Sequence, residues 1–300
     1  MRGLVIKSTG SSYIVRMDDG TSAECRIKGN FRIRGIRSTN PVAVGDFVQV
    51  EDGWIMEVED RRNYIIRRST NLSKESHILA ANIDQVALIV TVNHPVTSTT
   101  FIDRFLATCE AYRVRAILIF NKIDLLTEEE LAQLKELRTL YESIGYQTME
   151  ISAIHCQPSD VIPLLQGKTT LLSGNSGVGK STLLNALFGQ EMTRTGKISD
   201  AHDKGMHTTT FSEMYFLEEG AIIDTPGIKG FGTIDFQKEE VSHYFREIFE
   251  AGRDCRFGNC THTNEPGCAV QDKIITGDIA ISRYESYLSM LGDCTESKYR

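Results

Sequence analysis

Nowhere in its 300 residues does the chain hold an apolar run near the roughly 20 residues that a membrane-spanning helix needs. The opening MRGLVIKSTGSSYIV lacks a long apolar segment followed by a small-residue cleavage site, so no secretory signal is expected and the cytoplasm is the expected compartment. Seven cysteines in a chain this long do not read as a disulfide framework, and Cys25, Cys109, Cys156 and Cys294 read as small buried hydrophobes. A basic excess is missing too: the net charge of −7 argues against indiscriminate nucleic-acid binding. Internal repeats and low-complexity segments are also lacking.

What is present is the composition of an ordinary globular protein, 41% hydrophobic and 24% charged, in a length that suits two or three domains. Charge is uneven. Residues 1–70 hold 12 Lys+Arg against 9 Asp+Glu, a net of +3, and the remainder holds 21 against 31, a net of −10. The first segment is therefore the expected nucleic-acid contact, although a solvated surface explains so modest an excess equally well.

Three rhythms divide the chain. Residues 1–70 alternate apolar and polar over short runs (GLVIKSTG, SSYIVRMDDG, TSAECRIKG, VGDFVQVEDG, WIMEVEDRRNYIIRR), with hairpin chemistry at Asp18-Asp19-Gly20 and Glu51-Asp52-Gly53. Five or so such strands predict a small closed barrel of the oligonucleotide-binding kind, with an SH3-like barrel as the alternative. NLSKESHILAANID (71–84) reads as a linker. Over 71–233 apolar strands alternate with helical patterns, which predicts a mostly parallel sheet with helices on both faces. Thr127 and Glu130 form a capping-box pair at the start of one helix, and Lys180 to Phe188 reads as another. The segment 234–300 opens with an amphipathic helix, KEEVSHYFREIFEAG, carries a Cys/His cluster, and ends in a mostly helical tail.

Gly174-Asn175-Ser176-Gly177-Val178-Gly179-Lys180-Ser181, followed by Thr182, matches G-x-x-x-x-G-K-S between an apolar strand and a helix, the context this phosphate loop requires. Its glycines let backbone N–H groups face phosphate oxygens, and the helix N-terminus adds a favourable dipole. Lys180 is expected to reach the β- and γ-phosphates and Ser181 to bind Mg²⁺. Asp224-Thr225-Pro226-Gly227 closes the strand AIID, with Asp224 expected on Mg²⁺ through water and the Gly227 N–H on the γ-phosphate. Between them lies DKGMHTTT, where Thr209 or its neighbour Thr208 is expected to close over Mg²⁺.

Asn121-Lys122-Ile123-Asp124, after the strand RAILIF, matches the guanine-recognising N-K-x-D. A carboxylate at Asp124 accepts from guanine N1–H and its exocyclic amine, and adenine would leave it unpaired, a difference worth roughly 10⁴-fold or more. Ser152 and Ala153, closing the next strand, are expected beside the base, with the Ala153 N–H on guanine O6. This base-reading motif precedes the phosphate loop, the reverse of the usual order. Site geometry depends on which loops meet at the sheet's edge, so a circular permutation with the old ends joined through residues 154–168 keeps the site whole. Finally, Cys255-x₄-Cys260-x-His262-x₅-Cys268 offers three thiolates and an imidazole at the spacing of a tetrahedral structural zinc site.

Taken together, these residues resemble the circularly permuted GTPases known as the ribosome small-subunit-dependent GTPase A family (RsgA, also YjeQ or YloQ) over the whole chain. The resemblance implies a GTP hydrolase with Mg²⁺ and one structural Zn²⁺. It implies a monomer that binds the small ribosomal subunit and its rRNA, with no membrane, and assists the subunit's late maturation. Turnover is expected to rise on the subunit. The family's pattern in GMHTTT includes His207, implied in hydrolysis or in subunit contact. Ile228 follows the D-T-P-G glycine where many GTPases carry a water-orienting glutamine, so slow intrinsic turnover is expected. Two other readings stand beside this one: a GTP-sensing RNA clamp in which hydrolysis is incidental, and an ATP-dependent metabolic enzyme, which Asn121 and Asp124 argue against.

Overall fold

The computed structural model describes residues 1–9, 12–27, 41–68, 76–189, 212–225 and 236–296. The first five strands, β1 (Arg2–Ser8), β2 (Tyr13–Met17), β3 (Ser22–Ile27), β4 (Phe47–Glu51) and β5 (Trp54–Val58), close on themselves in the order β1-β2-β3-β5-β4-β1. Closure leaves no bare edge. Period-two alternation sends Val5, Tyr13, Val15, Cys25, Val48, Val50 and Ile55 inward as a core of their own. The β4–β5 hairpin turns on Asp52 and Gly53, both at positive φ (48° and 78°), the two-residue turn that matches strand twist.

Two expectations change at the barrel's exit. WIMEVEDRRNYIIRR is not one strand: β5 stops at Val58 and a separate β6 (Tyr64–Arg68) leaves the barrel. Half of the expected linker is also a strand, β7 (Ser76–Ala81), which pairs antiparallel with β6. Leu79 and Ala80 supply the reason, since both are buried against the central sheet's helices and a solvated linker would leave them bare.

The central sheet runs β10-β9-β8-β11-β13-β12, from β8 (Gln85–Val90), β9 (Arg115–Phe120), β10 (Gln147–Glu150), β11 (Thr169–Ser173), β12 (Glu213–Phe216) and β13 (Ala221–Asp224). All neighbours are parallel except β12, which is antiparallel to β13. Even-numbered residues of β8 and β9 (Val86, Leu88, Val90, Ala116, Leu118, Phe120) pack under α1 (Thr99–Ala111) and α2 (Glu128–Ser143). Odd-numbered ones (Ala87, Ile89, Ile117, Ile119) pack under α3 (Pro158–Leu165) and α4 (Lys180–Phe188). The expected capping box of α2 is present: Thr127 Oγ1 accepts from Glu130 N and the Glu130 carboxylate accepts from Thr127 N. After β10 the chain forms the helix α3, begun by Pro158 in its first turn, where a missing N–H costs nothing.

The chain leaves β8 for β9 and β10 on one side and returns as β11 on the other, so β8 and β11 flank the topological switch point. Barrel and sheet are continuous: β1 pairs with β12 at Lys7 and Glu213, whose side chains form an ion pair at 3.0 Å.

Past residue 236 the expected single amphipathic helix is two pieces. A 3-10 stretch (Lys238–Tyr244) breaks at the extended Phe245, and α5 (Arg246–Gly252) follows. The break turns Val241, Phe245 and Ile248 into one core with residues of α6 (Ala269–Thr276), α7 (Ile281–Glu296) and Ala107 of α1. No helix among the described residues is long and apolar enough to cross a membrane.

Candidate nucleotide site and metal cluster

The C-terminal ends of parallel strands at a switch point are where such sheets bind ligands. Each nucleotide motif within the described residues sits there. Asn121 follows β9, Ser152 and Ala153 follow β10, Gly174 follows β11, and Asp224 ends β13. Asn121 is the hub. Its buried amide donates to Val178 O of the phosphate loop at 2.8 Å, and its oxygen accepts from Ala153 N at 2.9 Å. One side chain thus ties together three loops that are far apart in sequence.

The phosphate loop has the shape its glycines permit. Gly174 and Gly179 sit at φ 145° and 101°, and a Cβ would collide with Ile89 O at the first and the Asn121 amide at the second. Gly179 caps α4, whose free N-terminal amides follow. Lys180 is 8% exposed, and its ammonium donates to Gly174 O (2.8 Å) and Asn175 O (2.9 Å). Burial pulls its pKa below the ordinary lysine value and the charge of Asp224 opposes that shift. Val178 is buried under the loop, whereas Ser176 and Gly177 face outward and Ser181 and Thr182 are half-buried in the first turn of α4. Asp224 is buried on β13, in register with Leu172 of the strand that leads into the loop.

On the base-reading side, Lys122 adopts a left-handed conformation (φ 64°) and a one-turn 3-10 segment, Ile123–Leu125, follows. Ile123 N donates to Ile151 O at 3.4 Å, which draws this turn toward the β10 loop. Asp124 is exposed, its carboxylate open to a ligand. His207, Thr208, Thr209, Gly227 and Ile228 lie outside the described residues. The Asp224 carboxylate, whose charge reaches Lys180, and the half-buried Ser181 hydroxyl at the start of α4 are oxygen donors of the kind a hydrated Mg²⁺ takes.

The second cluster is in the C-terminal region. The ligand atoms of Cys255, Cys260, His262 and Cys268 all lie within 4.8 Å of one another. His262 Nδ1 is 3.5 Å from both Cys255 Sγ and Cys268 Sγ, and those sulfurs are 4.0 Å apart. Tetrahedral bonds of about 2.3 Å to sulfur and 2.0–2.1 Å to nitrogen require edges of roughly 3.8 and 3.5 Å, so the four residues fit a zinc-sized ion. Burial pushes the Cys260 thiol up to about 12, so thiolates here need a cation's charge.

The supports of this cluster escape the sequence reading. His262 sits at φ 57°, and its carbonyl accepts from Tyr284 OH (2.6 Å) and Gln271 Nε2 (3.1 Å). Glu265 accepts from Thr261 N (2.7 Å), Thr261 Oγ1 (2.5 Å) and Thr263 N (2.9 Å), closing the knuckle between Cys260 and Cys268. Burial pushes the Glu265 carboxyl up, but these bonds outweigh it and hold it down at about 2. No short-range pattern announces a carboxylate that serves only its neighbours' amides.

Comparison with known proteins places this geometry. A family model described as RsgA GTPase matches residues 58–234, and one described as RsgA N-terminal domain matches residues 2–55. The chain is 60% identical over 307 residues to a protein of Phocaeicola vulgatus called small ribosomal subunit biogenesis GTPase RsgA, covering 100% of this chain and 99% of the relative. A Porphyromonas gingivalis protein of the same name is 58% identical over 312 residues, with the same coverage. Among solved structures, YjeQ from Thermotoga maritima superposes with a TM-score of 0.75 at 32% identity over 98% of both chains. YloQ, described as a circularly permuted GTPase, superposes at 0.72 and 30% identity over 100% of this chain and 96% of its own.

Proposed function

The chain belongs to the RsgA GTPase family and is a GTP hydrolase, and on that premise we propose that it binds the small ribosomal subunit and its rRNA and assists the subunit's late maturation. GTP and water become GDP and phosphate, with turnover accelerated on the subunit. The observation that carries the nucleotide reading is the Asn121 side chain, bonded at once to the phosphate loop and to the Ala153 amide. The proposed division is an N-terminal domain at 1–70 that carries the barrel and the exit strand β6, a permuted GTPase domain at 71–233 and a metal module at 234–300, acting as a monomer in the cytoplasm.

In this reading Asp124 accepts from the guanine edge, the Ala153 N–H, which here donates to the Asn121 side-chain oxygen, turns to the guanine O6, and the Gly174–Thr182 loop surrounds the phosphates. Lys180, now on the carbonyls of Gly174 and Asn175, exchanges them for phosphate oxygens and stabilises the charge that develops as water attacks in line. Ser181, Thr209 and Asp224, the last through water, are the residues assigned to Mg²⁺, which neutralises phosphate charge when bound. His207 is assigned to ordering water or meeting the subunit. Cys255, Cys260, His262 and Cys268 would hold one Zn²⁺, and four protein ligands would leave no place for a catalytic water, so its role would be structural.

The test is the rate of GTP hydrolysis by the purified chain alone, with small subunits, and with large subunits. Stimulation on the order of tenfold or more by small subunits only is expected. Equal rates in all three would remove the assigned partner.

A further inference from the structure

Between β8 and α1, residues 91–98 carry no nucleotide-binding motif, yet they touch both halves of the site. Lys122 Nζ donates to His94 O at 2.5 Å, and the Pro95 ring lies over Gly177 of the phosphate loop, where an added Cβ would stand 3.5 Å from Pro95 Cδ. The loop is latched internally: Thr97 N donates to Thr91 O (2.9 Å), Thr91 N to Thr97 Oγ1 (3.1 Å) and Thr91 Oγ1 to Pro95 O (2.5 Å). Its remaining anchor is Asn93. The Asn93 oxygen accepts from His94 N at 2.8 Å, and its amide donates to Glu130 Oε1 at 2.5 Å. The other Glu130 oxygen accepts from Thr127 N at 2.9 Å, at the start of the helix that follows the base-reading turn.

His94 and Lys122 are both left-handed, at φ 58° and 64°, a conformation side-chain-bearing residues hold only when their surroundings enforce it. They face each other through one hydrogen bond, so each holds the other. Hydrogen bonds to Thr127 and Asn93 keep the Glu130 carboxyl below its ordinary range, and Glu130 is thus a charged acceptor at neutral pH.

We infer that Asn93 and Glu130 are positioning residues for guanine-nucleotide binding. They hold the His94 carbonyl against the Lys122 ammonium, and so keep the Asn121–Asp124 turn in the shape that presents Asp124. This brace rests on the guanine reading of that turn. It acts through Lys122 and touches no reacting atom, so its loss falls on affinity.

The bond's polarity allows a swap. Asn93→Asp sets two carboxylates against each other and keeps the bond to His94 N. Glu130→Gln keeps an oxygen for Thr127 N and turns a donor toward the Asn93 amide. In the double variant the amide introduced at position 130 donates to the carboxylate introduced at position 93, and both outer bonds survive. Titration of the full-length chain with fluorescent mant-GDP, together with KM and kcat for GTP, tests this. Each single variant is expected to bind about tenfold more weakly and to raise KM by a similar factor, with the double variant within about twofold of wild type. Single variants that bind like wild type, or a double variant no tighter than the singles, overturn the proposal. The thermal midpoint without nucleotide should stay within about 2 °C throughout, and a fall that tracks the lost affinity assigns the pair to folding instead. A wild-type chain that binds mant-GDP no better than mant-ADP sinks the guanine assignment itself; selective wild-type binding retained in both single variants sinks only the brace.

Discussion

Lys180 rests on two loop carbonyls at 2.8 and 2.9 Å, which keeps a cationic centre inside the phosphate loop before any phosphate arrives. Burial depresses its pKa. Bound phosphates favour the charged form, so nucleotide affinity is full below the depressed pKa and falls as pH rises through it. Mant-GDP affinity should therefore begin to weaken at a lower pH than an ordinary lysine dictates, and Lys180→Arg should remove that alkaline limb. A limb of unchanged position in the arginine variant would assign the titration elsewhere. Gly174 and Gly179 complete the residue-scale picture, because the backbone that embraces phosphate leaves no room for a Cβ.

Among the elements, the knuckle between α5 and α6 has little apolar content of its own and is held by its ligands and by Glu265. Segments of this kind draw their folding energy from the metal. One zinc per chain is expected by elemental analysis. Cys260→Ser should abolish stoichiometric retention of it and cost roughly 2 kcal/mol or more in a urea titration. Full zinc content in that variant would show that another residue completes the site. The broken helix before the knuckle belongs to this scale as well. Its amphipathic pattern predicts one continuous helix, but packing Phe245 against Tyr287 at 5.7 Å requires an extended residue there.

Over the whole molecule, the C-terminal helical region is locked to the helices on the GTPase sheet through a buried charge network on α1. Arg283 of α7 donates to Asp103 of α1 at 2.7 Å and to Glu247 of α5 at 2.6 Å, and Tyr141 of α2 donates to the same Asp103 oxygen at 2.9 Å. Arg283 and Asp103 are 1% and 0% exposed. Removing one partner strands the other charge without water, so Arg283→Met should destabilise by roughly 3–5 kcal/mol. Urea unfolding reads that loss, and limited proteolysis should then release the C-terminal region first. A loss below about 1 kcal/mol would mean that the apolar core around Phe245 and Tyr287 carries the docking alone. Because α1 follows directly on the 91–98 loop, the same helix joins the nucleotide site to the C-terminal region that carries the Cys/His cluster.

The motifs were legible in the sequence because they answer to local chemistry. Gly-x-x-x-x-Gly-Lys-Ser, Asn121 to Asp124 and the Cys/His spacing each need fixed residue types at fixed short separations, and barrel and sheet announce themselves through periods of two and 3.6. Pairings between distant residues left no such trace. Asn93 with Glu130, Asp103 with Arg283, and β6 with β7 are ordinary polar residues and short apolar runs until the fold brings them together. The reversed motif order was legible as a circular permutation, and the switch point between β8 and β11 is where the permuted loops meet in one site. Sequence by itself determined the chemistry available and the kinds of element that carry it. Tertiary structure decided which groups stand within 3 Å of each other, because hydrogen bonds and buried charges depend on distance in space, and chain order does not encode that distance.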